Sequence, residues 1–149
     1  MREVIRSALV PQTPAQMFAL VEDVERYPEF LPGVVAARLL ERSDSDLVGM
    51  LEMERAGIRE KFTTRNTLLH PERIDMKLVE GPFRTLEGEW TFVPIMEAGI
   101  VRGTRVGLKI RFEFRNPLTS LLLSRTFETT FASLIDAFTR RAKDVYGAS

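Results

Sequence analysis

The sequence contains no cysteine. That removes disulfides, zinc–thiolate sites, iron–sulfur clusters and thiol nucleophiles together, and it fits a reducing compartment. Histidine is nearly as scarce. The one copy, His70, precedes Pro71-Glu72-Arg73 and reads as a solvated turn residue, so neither a Ser-His pair nor a histidine–carboxylate metal cluster can be assembled. There is no Gly-x-Ser-x-Gly elbow and no phosphate-cradling glycine loop; "GIVRG", Gly99 to Gly103, reads as a hairpin tip. Net charge is also missing: 21 basic and 21 acidic side chains cancel, so no overall field draws the molecule to phosphate, and any nucleic-acid contact must be local. No run approaches the ~20 apolar residues of a membrane span, and the amino terminus "MREVIRSALVPQ" lacks the apolar core of a signal peptide. The expectation is a cytoplasmic protein with no metal, no cofactor and no DNA partner.

What the chain does have is an ordinary globular balance: 149 residues, 44% apolar and 28% charged, enough for one domain with one core. Residues 2–10 alternate as a strand ended by Pro11. Thr13 before Pro14 is an N-cap signal, and Met17, Phe18, Leu20, Val21 and Val24 recur at helical spacing, predicting a helix over 14–24. Pro28 and Pro32 stop it and force a corner in "VEDVERYPEFLPG". From Val34 to Phe114 the period becomes two, with turn signals at Asp44-Ser45-Asp46, Ala56-Gly57, His70-Pro71-Glu72, Gly81-Pro82 and Glu97-Ala98-Gly99, which predicts six further strands. In the last, Val106, Leu108, Ile110, Phe112 and Phe114 face one way, and Arg105, Lys109, Arg111 and Arg115 the other. Asn116 and Pro117 then open a helix of ~30 residues, ~45 Å long, with Phe127, Phe131, Leu134, Ile135, Phe138, Ala142 and Val145 as its apolar stripe and Gly147 as its stop.

An antiparallel sheet with one apolar face must cover it, and only the terminal helix is long enough. A curled sheet and a straight helix meet well at one end and diverge at the other, so the inward aromatics either fill the core or line a cavity. The corner at Tyr27, Phe30 and Leu31 belongs at the open end, as a rim or a plug. In "IREKFTTRN" the parity that turns Ile58 and Phe62 inward also turns Glu60 and Thr64 inward. Glu60 is thus either a carboxylate near the cavity or a solvated residue pairing with Arg55 or Arg59. On the outer face Arg59, Lys61 and Arg65, and Arg105, Lys109, Arg111 and Arg115, suit RNA phosphates, unless Glu87 and Glu89 on the neighbouring strand neutralise the second stripe.

"VEDVERYPEFLPG", "GPFRTLEGEWTF" and "FEFRNPLTSLLL" running to "DAFTRRAKDVYG" together resemble, in order and over nearly the whole chain, the coenzyme Q-binding protein family of the START-like, polyketide-cyclase superfamily, with its ribosome association toxin branch. The resemblance implies an α+β helix-grip fold, a curved seven-strand antiparallel sheet around the carboxy-terminal helix. It also implies a non-enzymatic binder of ubiquinone or another polyisoprenoid or lipid that supports respiration. Trp90, Phe92, Leu108, Phe112, Phe127, Phe131 and Leu134, with Phe62, would line the tunnel, and Tyr27, Phe30 and Leu31 its mouth. The toxin branch implies binding to the large ribosomal subunit and a block on subunit joining, for which Arg59, Lys61, Arg65, Lys109 and Arg111 are the candidate contacts. The cyclase relatives imply a catalytic acid, for which Glu60 is the candidate. An apolar tunnel mouth would also allow transient membrane contact or dimerisation.

Overall fold

The computed structural model describes residues 1–55 and 57–147; the turn expected at Ala56-Gly57 lies partly outside the described residues. β1 (Arg2–Val10) leads through Thr13 into α1 (Pro14–Glu22). Thr13 and Gln16 form a reciprocal capping box, which satisfies two of the amide donors that a helix start leaves unpaired. α1 ends two residues earlier than the spacing predicts. The corner after it is not extended but wound into a 3₁₀ helix, Val24–Glu29, with Pro28 inside it. The short i→i+3 winding uses few donors, so a proline costs little there. The Phe30 and Leu31 amides both donate to the Tyr27 carbonyl.

Six strands follow as the alternation predicts: β2 (Val34–Arg42), β3 (Asp46–Arg55), β4 (Ile58–Leu69), β5 (Arg73–Glu80), β6 (Phe83–Glu97) and β7 (Ile100–Phe114). The hairpin tip is Ala98-Gly99, so the rest of "GIVRG" already belongs to β7. All neighbours are antiparallel in one sheet ordered β1-β7-β6-β5-β4-β3-β2. Register shifts in β2, β4 and at both ends of the β6–β7 pair bend the strands, and with the inherent twist they curl the sheet into a trough. β1 and β2 form the two edges, so α1 and the 3₁₀ corner carry the chain from one edge to the other.

The expected single terminal helix is two: α2 (Pro117–Ala132) and α3 (Leu134–Tyr146). The Asn116 side chain caps the first, accepting from the Leu118 and Thr119 amides. The break has an identifiable cause. The Ser133 hydroxyl donates to the Thr130 carbonyl at 2.7 Å, and the Thr130 hydroxyl donates to the Thr126 carbonyl at 3.0 Å. In an uninterrupted helix the Thr130 carbonyl serves the Leu134 amide; here Ser133 occupies it through both its amide and its hydroxyl. The apolar stripe otherwise runs as predicted, except that Val145 is exposed. Gly147 ends α3 at φ 88°, the left-handed conformation that glycine adopts freely.

Because Asn116 supplies the only side-chain cap of α2, Asn116→Ala is expected to cost about 1 kcal/mol and to lower the calorimetric melting temperature by about 3 °C. An unchanged melting temperature would show the cap to be energetically idle.

Candidate functional site

One end of the trough is solid. Phe83 from β6 stacks on Phe114 with centroids 4.7 Å apart and meets Phe62 at 5.5 Å and Phe127 of α2 at 5.8 Å, while Phe112 meets Phe131 at 5.3 Å. These edge-to-face and stacked contacts clamp α2 to the sheet. At the other end Phe138 of α3 sits edge-on to Trp90 (5.1 Å), Tyr27 (5.5 Å) and Phe30 (5.1 Å).

Between these clusters lies a cavity bounded by Val24, Tyr27, Leu31, Leu51, Met53, Phe62, Met76, Trp90, Phe131, Leu134 and Phe138, among others. Two inward positions on its wall, Gly49 and Gly88, carry no side chains, and Val24 and Met76 lean into the places left. A Cβ at Gly49 would come within 3.2 Å of Val24 Cγ1, and one at Gly88 would run into Met76 Cε. The space open to the centres of water-sized spheres is about 60 Å³, and all unfilled space out to the surrounding atoms, including the opening to solvent, is about 710 Å³. The smaller figure measures what fits without movement, and it leaves room for small molecules such as water.

Of the residues expected at this site, Tyr27, Leu31, Phe62, Trp90, Phe131 and Leu134 do border the cavity. Phe92, Leu108, Phe112 and Phe127 are instead buried in packed core, with Phe92 held between Phe18 and Trp90. Phe30 lies outside the lining, capping Phe138 under the Arg141 guanidinium, which is 4.8 Å from its ring centre. Glu60 has the inward parity expected of it, opposite Met53, but it sits beyond Phe62 at the rim and borders a shallow surface depression with Lys61, Thr63 and Glu80. Arg59 pairs with Glu54 and Glu52 rather than with Glu60. The sequence reading passed over Asn66, buried at 6% exposure and bordering the cavity. The parity that selected Phe62 and Thr64 reaches Asn66 when carried two residues further.

The corner is braced rather than loose. The Tyr27 hydroxyl donates to the Val21 carbonyl, and Glu29 holds Arg141 of α3 at 2.7 Å. Burial, and secondarily the charge of Asp23, pushes the Tyr27 phenol well above the usual tyrosine range. The phenol is therefore a neutral donor turned back toward α1, and only its ring faces the cavity.

The outer face of the sheet mixes charges of both signs. Along one row across the strands stand Glu3, Arg111, Glu87, Lys77 and Arg65. Arg111 meets both Glu3 and Glu87 at 3.5 Å, Lys109 meets Glu3 at 4.0 Å, and Arg65 meets Asp46 at 2.7 Å. Ser43 and Arg65 together hold the Asp46 carboxyl below its ordinary range. Of the five candidate phosphate contacts, Lys61 alone has no carboxylate partner among the described residues.

A model of the polyketide cyclase / dehydrase and lipid transport family matches residues 10–139. The chain belongs to that family. It is 45% identical over 147 residues to the ribosome association toxin RatA of Vibrio cholerae, covering 99% of each chain. To the protein of the same name in Escherichia coli it is 41% identical over 148 residues, covering 99% of this chain and 91% of the other. A mitochondrial coenzyme Q-binding protein, COQ10 of Dictyostelium discoideum, is more distant at 24% over 138 residues, 90% of this chain and 65% of that one. Among solved structures, a Thermus thermophilus protein superposes with a TM-score of 0.83 at 21% identity, covering 97% and 99% of the two chains. The Zhui aromatase/cyclase of a Streptomyces species also reaches 0.83, at 19% identity and 99% and 98% coverage. These likenesses share the START-like α+β grip, with the sheet around the terminal helices.

Within this polyketide cyclase / dehydrase and lipid transport fold, Tyr27 gives the corner a pH signature. Its folded-state pKa is raised, so its contribution to stability is complete below the unfolded tyrosine value of ~10 and is lost as pH rises above it. Tyr27→Phe should cost about 1 kcal/mol at pH 7, from the lost hydrogen bond. In urea titrations the gap between variant and wild type should narrow above pH ~10; a gap that stays constant would contradict the buried neutral phenol.

Proposed function

We propose that this protein associates with the ribosome as a toxin of the RatA kind, binding the large subunit in the cytoplasm and opposing its joining to the small one. The observation that carries this reading is identity of 45% over 99% of both chains to a protein named for ribosome association. The alternative places of contact differ in charge chemistry: on the outer sheet face Arg59, Arg65, Lys109 and Arg111 are each paired with a carboxylate, whereas Arg84, Arg115 and Arg125, around the start of α2, have no carboxylate partner among the described residues. They flank Leu118, Leu121 and Leu122, which are 60–80% exposed. We therefore assign the ribosomal contact to the α2 end.

A second reading, that the cavity holds an apolar guest, is favoured by its almost wholly apolar wall and by the lipid-transport members of the family. A quinone is one candidate, through the distant likeness to the coenzyme Q-binding protein. With about 60 Å³ of free space the cavity as it stands is narrow, so a guest larger than a few waters requires side chains such as Met76, Leu31 or Phe138 to move. The cyclase reading has less support: Glu60 stands outside the lining, and the Glu87 carboxylate is turned to the outer face against Arg111.

Purified protein is expected to cosediment with large subunits at low salt and to lower the fraction of joined ribosomes. If three phosphates are contacted, affinity should fall roughly twentyfold between about 50 and 200 mM salt. Arg84→Glu, Arg115→Glu and Arg125→Glu combined should abolish cosedimentation, and Arg111→Glu should leave it nearly intact. Absence of cosedimentation at low salt, with joining unaffected, would remove the ribosome reading. Loss on Arg111→Glu alone would move the contact to the sheet face.

A further inference from the structure

The inward positions of β4 are Phe62, Thr64, Asn66 and Leu68, so two polar residues sit in the middle of an apolar wall. Asn66 occupies a row across the sheet with Leu47, Met76, Gly88 and Ile110, none of which can form a side-chain hydrogen bond of ordinary strength with it. It is 94% buried and borders the cavity. The Thr64 hydroxyl donates to its Oδ1 at 2.8 Å, which fixes the amide plane and turns Nδ2 the other way. Among the described residues that NH₂ group has no acceptor, nor has the indole N–H of Trp90 in the next row of the same wall.

The Asn66 NH₂ is not among the polar atoms sealed away without a partner, so it reaches the open space of the cavity and can donate to an occupant there. Two donors without partners on the wall of one cavity describe a site for a hydrogen-bond acceptor. The side chains around the cavity include no lysine, arginine or histidine, so a carboxylate entering it would lose its hydration without gaining a counter-charge. A hydrocarbon, conversely, would leave both donors unsatisfied.

We propose that Asn66, oriented by Thr64 and assisted by Trp90, is the polar recognition point of the cavity, and that its occupant is an uncharged apolar molecule bearing a carbonyl oxygen. This rests on the reading that the cavity accepts an apolar guest. The apolar wall takes the skeleton, with Met76 able to move over Gly88 to make room, and the Asn66 amide donates to the carbonyl, selecting neutral ketones, quinones or esters over acids and plain hydrocarbons of the same shape.

Three probes of nearly equal size test it: acetophenone, ethylbenzene and benzoate, titrated at pH 7 and followed by the side-chain amide of Asn66 and the indole N–H of Trp90 in nitrogen–proton NMR spectra. Acetophenone is expected to bind most tightly and to shift both signals; ethylbenzene should bind more weakly without moving the Asn66 amide, and benzoate should not bind. Asn66→Leu should weaken acetophenone roughly five- to tenfold while leaving ethylbenzene unchanged or tighter, and Asn66→Ser should fall between. Equal affinity of the ketone and the hydrocarbon for the wild type, or equal losses for both in Asn66→Leu, would overturn the assignment while leaving the cavity a binding site. If none of the three probes saturates the wild type, the guest-binding reading itself fails, and the assignment with it. The wild-type comparison decides the matter even if Asn66→Leu does not fold.

Discussion

The phenylalanine cluster that joins α2 to one end of the sheet is the contact on which the rest of the molecule depends. Phe83, Phe112, Phe114, Phe127 and Phe131 meet there with centroid separations of 4.7 to 6.1 Å, which leaves no space between helix and sheet. With that end fixed, the curl of the sheet determines where contact is lost, and the loss falls between the two aromatic groups. The second aromatic group, around Phe138, then closes the far end against the 3₁₀ corner. The cavity is thus a consequence of two packed ends and a middle left partly unfilled, where Val24 and Met76 reach over Gly49 and Gly88.

Much of this was legible in the sequence, because a two-residue period states which face each side chain occupies. It assigned the inner faces of β6 and β7 and gave Glu60 its correct side. It did not give depth. Glu60 and Asn66 share a parity, yet one stands at the rim and the other inside, and only the pairing of β4 between β3 and β5 distinguishes them. Phe92, Leu108, Phe112 and Phe127 were likewise assigned the right face but turned out to be packed core. The break at Ser133 was hidden for a different reason: it arises from hydroxyl groups taking main-chain carbonyls, while the apolar stripe that announces a helix continues through it. The Arg111–Glu87 pair was readable from neighbouring strands, whereas Glu3 became a partner only through the return of β1 to the side of β7.

The inside and the outside of the protein answer to separate physics. The interior selects by shape and by the few hydrogen-bonding groups its apolar walls admit, and is indifferent to salt. The exterior is near-neutral overall, with many of its charges paired and a basic group beside α2 that has no carboxylate partner among the described residues. A ribosome-directed surface and a guest-binding interior are therefore compatible in a single chain, since neither uses the residues of the other. The braced corner links the two regions mechanically, because Glu29 and Arg141 tie the rim of the cavity to α3.

The order of strands in the sheet has a consequence for how the protein comes into being. β1 is the first strand to leave the ribosome during synthesis, and its sole neighbour, β7, is the last. About one hundred residues of chain separate the midpoints of the two, a long loop to close before any ladder bond between them can form. The nascent chain can zip β2 through β7 hairpin by hairpin, but its opening segment, with Ile5 and Leu9 exposed even in the finished fold, must wait unpaired until nearly everything else has been made.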